Sequence, residues 1–583
     1  MFQVLVQLRW FFREHWKRYT IAIGLLMCAS VLEVFPPKIV GMAIDEIFGQ
    51  TLTVEKLLSY IFYLLFVVLL SYGLNYVWIY QLFGGAHLLQ RKLRTSLMSH
   101  FLQMSPTFYE KNKTGDLMAR ATNDLQAISM TAGFGILTLI DSSFYMGTIL
   151  ISMCIFVSWK LTVAAFLPLP LMAVLLKMYG GKIHSYFTKA QDAFGQLNDR
   201  VLESIEGVRV VRAFVQERKD EERFQEMAND VYNKNVSVAK VDALIEPTIQ
   251  VVIALSYFIG LGYGTYLVIR QELTLGALIS FQVYLGMLIW PMYAIGELIN
   301  VMQRGHASLE RVEETLSTKD VLESPVQPVV IPSITSIEFR QFTFQYPTAT
   351  TPQLVEISFS LKKGETLGIV GKTGSGKSTL LKQLLREYPV PLNQLFVSGV
   401  PIEKIDRSSF KQLLGYVPQN HVLFSKTIKE NILFGKPEAS DEEVMEAIRL
   451  AAFDQDLQMF PEGWETLVGE KGVALSGGQK QRLSIARALI KDPELLLLDD
   501  ALSAVDGKTE AKIIQYIRQA RKGKTTMIVT HRLTAVEHAD RIIVLDDSKI
   551  IQEGTHHELI QQDGWYKEQY IRQQVKGLEE GRA

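Results

Sequence analysis

The sequence predicts a multidomain protein, an α-helical transmembrane domain of six helices fused to an α/β domain. Three observations carry this. The chain has 583 residues, more than one hydrophobic core organises. Its apolar residues are unevenly placed, with long apolar runs up to about residue 305 and soluble-looking α/β patterning beyond. A glycine-rich run, Gly371 to Thr379, lies between a strand-like stretch, Thr366 to Val370, and a helix-like one, Leu380 to Leu385. The expected divisions are an interfacial elbow helix over 1–19, the transmembrane domain over 20–305, a linker over 306–334 and the α/β domain over 335–583.

Six stretches are long and apolar enough to cross a bilayer, which takes about 20 helical residues. They lie near 20–44, 57–83, 133–158, 160–180, 244–269 and 275–302. Connections after the first, third and fifth are short: Asp45 to Lys56, Trp159-Lys160, and Arg270 to Thr274. Those after the second and fourth are long and basic, with Arg91, Lys92, Arg94 and Arg120 in one and Lys182, Arg200, Arg209 and Arg212 in the other. Positive charge stays in the cytoplasm, so the long connections and both termini are expected inside a multi-pass plasma-membrane protein. Each long connection has helical periodicity and one interruption, at Glu110 to Asp116 and around Arg212 to Asp220. Those tips could touch a cytosolic domain or be ordinary solvated loops. No cleavable signal peptide is expected.

Ahead of the first span, Val4, Leu5, Leu8, Phe11 and Phe12 repeat at helical spacing beside Arg9, Arg13, Lys17 and Arg18. That pattern suits a helix in the inner headgroup layer, or a cytosolic extension of the first span. Glu33, Asp141, Glu246 and Glu297 fall in or near spans, where an unpaired charge is costly. They could line a conducting cavity or sit in structural ion pairs. The formal net charge is −1 and there is no basic stripe, so no nucleic-acid partner is expected. Cys28 and Cys154 both lie in apolar runs, so neither a disulfide framework nor a zinc site is expected.

Gly371, Lys372, Thr373, Gly374, Ser375, Gly376, Lys377 and Ser378 fit G-x-x-x-x-G-K-[ST], with Thr379 following. The strand before and helix after supply the context of a phosphate-binding loop. Its amides and the new helix's positive end face the phosphates. Lys377 can reach the β and γ phosphates, and the Ser378 hydroxyl can hold Mg²⁺. Leu495 to Leu498 reads as a buried parallel strand ending in Asp499 and Asp500. Ligands of α/β sheets gather at such carboxyl ends, so Asp499 is placed to hold Mg²⁺ beside Ser378. Gln419, after Tyr416-Val-Pro, offers a neutral oxygen ligand near the γ-phosphate. His531 ends the apolar run Ile528-Val-Thr and can contact that phosphate. Tyr346, after the alternating strand Ile337 to Phe344, could stack on a base.

Together with Leu475-Ser476-Gly477-Gly478-Gln479, these residues resemble the ATP-binding cassette family throughout the C-terminal half. Tyr346 resembles its adenine-stacking aromatic, residues 371–379 its Walker A loop, and Gln419 its Q-loop. Thr466 to Glu470 resembles the exporter X-loop, Leu475 to Gln479 the signature, and Asp499 the Walker B acid. Ser503 to Asp506 resembles the D-loop and His531 the switch histidine. Six spans ahead of one cassette are similar to an ABC exporter half-transporter. Gly115 to Arg120 and Glu206 to Phe214 resemble that family's intracellular helices. The resemblance implies ATP and Mg²⁺ as cofactors and ATP hydrolysis coupled to transport. It also implies a dimer in which Ser476, Gly477, Gly478 and Gln479 reach the other chain's ATP. Fusion of spans to cassette favours export over import, and the spans exclude a soluble ATPase of translation or repair.

One departure stands out. The family usually has Glu directly after the Walker B acid, as the base that polarises the attacking water. Here it is Asp500, one methylene shorter. A misplacement of about 1 Å can cost about 10²-fold in rate. The chain therefore resembles heterodimeric bacterial multidrug exporters with one degenerate site, of the BmrC/BmrD type, on the BmrC-like side. The implied partner is a second half-transporter subunit carrying the Glu, and the implied cargo is amphipathic and drug-like. Alternatives are a homodimeric lipid or peptide exporter, or an ATP-gated channel or regulatory subunit. No peptidase-like domain precedes the spans, which weighs against processed peptides.

Overall fold

The computed structural model describes residues 2–580, apart from 323–324, 326, 348 and 470–474. The chain divides into two compact units, Met1–Leu102 with Thr114–Thr318, and Gln103–Lys113 with Lys319–Ala583.

The first unit is all helix. Among the described residues, five helical runs are long and apolar enough to cross a membrane: Trp16–Phe48, Val54–Gln103, Thr114–Phe166, Glu217–Ile269 and Leu275–Ser317. Val54–Gln103 is an unbroken helix of 50 residues. At ~1.5 Å per residue it is more than twice as long as a bilayer core is thick. The predicted spans 20–44, 57–83, 133–158, 244–269 and 275–302 fall inside these runs. The predicted span 160–180 does not form one helix. It is divided between Trp159–Phe166 and Leu169–Glu206, because Pro168 has no N–H to continue the ladder. The turn expected at Trp159-Lys160 sits instead at Ser158, whose extended backbone and side-chain oxygen cap the new helix at Leu161 N–H.

Proline marks three further helix starts. Phe35–Phe48, Ile245–Ile269 and Ile289–Ser317 each carry proline in their first turn (Pro36 and Pro37, Pro247, Pro291), where a missing N–H costs nothing. The long connections break where expected, after Lys111 and after Ala213. The connection predicted over 306–334 begins later, since the helix Ile289–Ser317 continues through buried Ser308, Leu309, Val312 and Thr315.

Near the N-terminus, Gln3–Gln7 and Arg9–Glu14 are helical. Val4, Leu8 and Phe11 are fully buried, in one cluster with Leu82, Leu89, Leu97, Leu309 and Val312. The apolar stripe is thus covered by protein, and the large apolar side chains left exposed are Phe2, Val6 and Trp10.

The second unit holds two sheets. An antiparallel sheet has the order β2-β1-β4-β5, with β1 Ser336–Phe344, β2 Leu354–Lys362, β4 Leu395–Val397 and β5 Val400–Pro401. The larger sheet has the order β10-β9-β3-β8-β7-β6. Its strands are β3 Thr366–Gly371, β6 Leu414–Val417, β7 Leu495–Asp499, β8 Thr525–Val529, β9 Arg541–Asp546 and β10 Lys549–Gly554. β6, β7, β8, β3 and β9 are parallel, and only β10 runs antiparallel to its neighbour. β7 and β8 are buried at every position, as strands covered on both faces must be. This explains the unbroken leucine run at 495–498.

The short helix Pro106–Lys111 packs within this second unit. The Tyr388 hydroxyl donates a short hydrogen bond to Glu110. The Asp320 carboxylate accepts from the Ser105 amide at 3.3 Å and pairs with Arg407 at 3.4 Å. A hydrogen bond to a carboxylate contributes about 1.5–3 kcal/mol. Tyr388→Phe keeps the buried ring and removes the donor. Hydrogen–deuterium exchange on the full chain should then speed up over 106–111 while β3 keeps its protection.

Candidate ATP site

The site assembles at the carboxyl ends of β3 and β7. After β3 the backbone turns through Gly371, Gly374 and Gly376, all at positive φ, and Lys377 opens the helix Lys377–Leu384. Two of these glycines are sterically required. A Cβ on Gly371 would lie 1.9 Å from the Leu545 carbonyl oxygen, and one on Gly376 2.4 Å from that of Gln353. At φ 97°, Gly376 caps the helix with no side chain to block its amides. The loop is therefore an open cradle of N–H groups backed by a helix dipole.

Lys377 is buried, and its ammonium donates to the carbonyls of Gly371 (3.0 Å) and Lys372 (2.6 Å). Burial pushes its pKa down to about 8, opposed by Asp500 and Asp499. Lys372 points away from the cradle, paired with Asp546 at 2.8 Å. Ser378 donates to Asp499 Oδ1 at 2.7 Å, which joins two of the three predicted Mg²⁺ ligands directly. Burial raises the Asp499 pKa, and the Asp500 charge adds to the rise. A hydroxyl and a carboxylate side by side are the oxygen donors a hard divalent cation takes. Gln419 follows β6 and is exposed.

Asp500 directly follows β7 and is in the left-handed region, at φ 48°. Its amide bonds to the Val529 carbonyl at 2.8 Å, which ties it to β8. His531 follows the end of β8. Burial lowers its pKa, as does the Lys377 charge, against opposing pulls from Asp500 and Asp499. A neutral imidazole among Lys377, Asp499 and Asp500 can give or take one hydrogen bond.

Tyr346 is half-buried. Its hydroxyl donates to Thr379 at 3.0 Å, and its ring meets Tyr388 edge-on at 4.9 Å between centroids. The side chain is thus fixed to the helix after the phosphate loop.

Ser476 to Gln479 form a different locus. Ser476 caps the helix Gly477–Leu489 in a capping box with Gln479, a device readable from the S-x-x-Q spacing. Among the described residues no hydrogen bond joins 476–479 to 371–379. Of the X-loop-like stretch, Thr466 to Gly469 are described, and the Thr466 carbonyl accepts from Ile428. Glu470 lies outside the described residues.

Sequence reasoning missed the residues that hold these parts together. Asp456 accepts from Gln479 at 3.1 Å and pairs with Arg482 at 2.7 Å. Gln481 is buried and bonds both Ser503 Oγ and the Ala504 amide. Arg532, next to His531, donates to the carbonyls of Ser503 and Val505 and pairs with buried Glu510 at 2.5 Å. Residues 503–505 are therefore held from one side by the helix after Ser476 and from the other by the His531 strand end. The one local signal was a cation directly after His531.

Comparison with known proteins agrees with this geometry. Residues 19–292 match the ABC transporter transmembrane region, and residues 354–503 match the ABC transporter family's ATP-binding domain. The chain is 59% identical to "Probable multidrug resistance ABC transporter ATP-binding/permease protein YheI" of Bacillus subtilis, over 100% of both chains. It is 41% identical to "Multidrug resistance-like ATP-binding protein MdlA" of Escherichia coli, over 98% of this chain and 97% of the other. A solved bacterial Atm1-family ABC exporter with ATP bound superposes with a TM-score of 0.79 at 25% identity, covering 96% of this chain and 99% of that one. A helical membrane unit, a phosphate cradle beside Ser378 and Asp499, and full-length relatives place the chain in the ABC transporter family, as a multi-pass exporter whose ATP hydrolysis is coupled to transport.

Proposed function

We propose that this chain is one half of a heterodimeric exporter of amphipathic, drug-like compounds, and that the ATP site built on its own Walker motifs is the slow one of the pair. The observation that carries the reading is Asp500. It occupies the position after the Walker B acid, with a side chain one methylene shorter than Glu, on a backbone anchored to β8. The carboxylate is kept, but its reach is not. About 10²-fold in rate corresponds to about 2.7 kcal/mol of barrier, enough to separate a working site from a slow one. The names of the relatives, "multidrug resistance" and "multidrug resistance-like", support the cargo class.

Each residue then has a task. The amides of 371–376 and the Lys377 ammonium bind the β and γ phosphates of ATP. Tyr346 offers its ring to the adenine. Ser378, Asp499 and Gln419 hold Mg²⁺, which when bound neutralises charge on the phosphates. His531 donates to the γ-phosphate, and Arg532 ties that strand end to residues 503–505. Ser476 and the amides of Gly477, Gly478 and Gln479 serve the partner's nucleotide, as a second helix N-terminus facing its γ-phosphate. The partner carries Glu where this chain has Asp500. ATP binding draws two cassettes together and turns the membrane cavity outward, and hydrolysis resets it. The driving force is the difference in nucleotide affinity between the two states. The termini and long connections face the cytoplasm, as the distribution of Lys and Arg requires.

Asp500→Ala should leave most of the ATPase activity of the purified heterodimer, whereas replacing the partner's Glu should abolish it. Equal losses from the two changes would refute the assignment. Lys377→Ala should empty one of two nucleotide sites, read as a fall from two bound nucleotides to one per dimer by equilibrium binding.

A further inference from the structure

The membrane unit contains a cavity of about 1320 Å³, above the usual size of a pocket for one drug-sized molecule. Its charge is one-sided. Glu33, Asp141 and Glu246 all line it, and among the described residues no Lys, Arg or His does. None of the three carboxylates forms an ion pair among the described residues. Neutral groups stand beside them instead. The Trp290 indole donates to Asp141 Oδ2 at 2.7 Å, the Gln250 amide donates to Glu246 at 3.0 Å, and the Tyr145 phenol lies close to Glu33.

Neutral donors orient a carboxylate without cancelling its charge. Carboxylates in membrane spans without a basic partner are costly, and this residue pattern marks a functional site. Asp141 is 7% exposed, so its charge is shielded from bulk solvent and acts at close range. It begins a π-helical turn, Asp141–Tyr145, a local widening frequent at functional sites. Trp290 and Tyr145, together with Trp78 and Tyr257 on the same cavity, add the aromatic faces that attract delocalised cations. The Gln282 amide, also on the wall, has neither polar atom hydrogen-bonded among the described residues.

We propose that Glu33 and Asp141, flanked by Tyr145 and Trp290, form a cation-anchoring subsite for flat aromatic organic cations, and that this pair discriminates cationic cargo from neutral cargo of similar size. The proposal rests on the exporter reading for its biological sense, but the binding site stands on the cavity alone. A cationic nitrogen placed between the two carboxylates supplies the positive charge that no side chain supplies. The aromatic body lies against the indole and phenol rings.

The test uses the complete exporter in lipid nanodiscs without nucleotide, titrated with ethidium (a planar cation) and with Nile red (a neutral planar dye). Glu33→Gln/Asp141→Asn should raise the ethidium Kd by about tenfold or more, the equivalent of ~1.4 kcal/mol, and change the Nile red Kd less than about twofold. Glu33→Gln alone, which leaves the Trp290 contact intact, should show part of the ethidium loss and guards against misfolding of the double variant. Unchanged ethidium binding in the double variant, or equal losses for both dyes, would overturn the proposal. ATP-driven uptake into inverted vesicles is scored separately. Ethidium binding that is lost in the double variant, with no ATP-driven uptake by the wild type, would support the subsite and refute the exporter cargo reading. Uptake of ethidium by the double variant at the wild-type rate and concentration dependence would refute the subsite and leave that reading intact.

Discussion

β3 and β7 are separated by β8, and continuous parallel pairing across the three strands brings their carboxyl ends to one edge of the sheet. That register lets the Ser378 hydroxyl reach Asp499 at 2.7 Å. Slipping β7 by one residue would turn its alternation over and send Asp499 to the wrong face. The buried leucines of β7 and the fully buried β8 are what prevent the slip. Packing in the cassette core therefore governs phosphate and metal chemistry at its rim. The same register sets Asp500 and His531 next to the loop, because each follows a strand end that pairing has already positioned.

Charge within the rim is nearly balanced by design of position. Lys377 is buried beside two aspartates, and its pKa falls because desolvation outweighs their attraction. Asp499 rises for the matching reason. Both shifts describe groups whose charged forms are poorly solvated by the protein alone. Phosphates and a divalent cation are the charges that would repay that desolvation. The left-handed backbone at Asp500 belongs to the same economy. Asp tolerates this conformation better than most residues, and its amide is bonded to the Val529 carbonyl.

Much of this was legible in the sequence because the signals are local. A strand, a glycine loop and a helix in succession disclose the phosphate cradle, and S-x-x-Q discloses the cap at Ser476. The breaks at Pro36, Pro168 and Pro291 fall inside spans that the apolar pattern alone draws as continuous. What could not be read has partners far away in the chain. Arg532 acts on the carbonyls of Ser503 and Val505 and on Glu510, and Asp456 acts on Gln479 and Arg482. A lone Arg or Asp carries no spacing pattern that names such contacts. The polar composition after residue 305 suggested a linker, yet Leu309 and Val312 recur at helical spacing and are buried. Polar neighbours masked a continuing helix. The cap at Ser158 lies one residue before the turn expected at Trp159-Lys160, whereas the break at Pro168 falls inside the expected span.

In the membrane unit, one helix pair organises the rest. Asp124 accepts from Ser308 and Arg311, Thr131 bonds the Val301 carbonyl and sits against Gly305, and Asp141 accepts from Trp290. The three contacts advance along Thr114–Phe166 as they retreat along Ile289–Ser317, so the two run antiparallel and are pinned at both ends and in the middle. The middle contact needs Gly305, since a Cβ there would lie 1.9 Å from the Thr131 hydroxyl oxygen. π-helical turns begin at Thr131 and at Asp141, which keeps successive contact residues on the same side although regular α-helical pitch would drift away from it. Pinned this way, the pair can move as one body. The Asp141 carboxylate is then part of a rigid wall, and its position is coupled to the ion pair at Asp124 by helix rather than by loop.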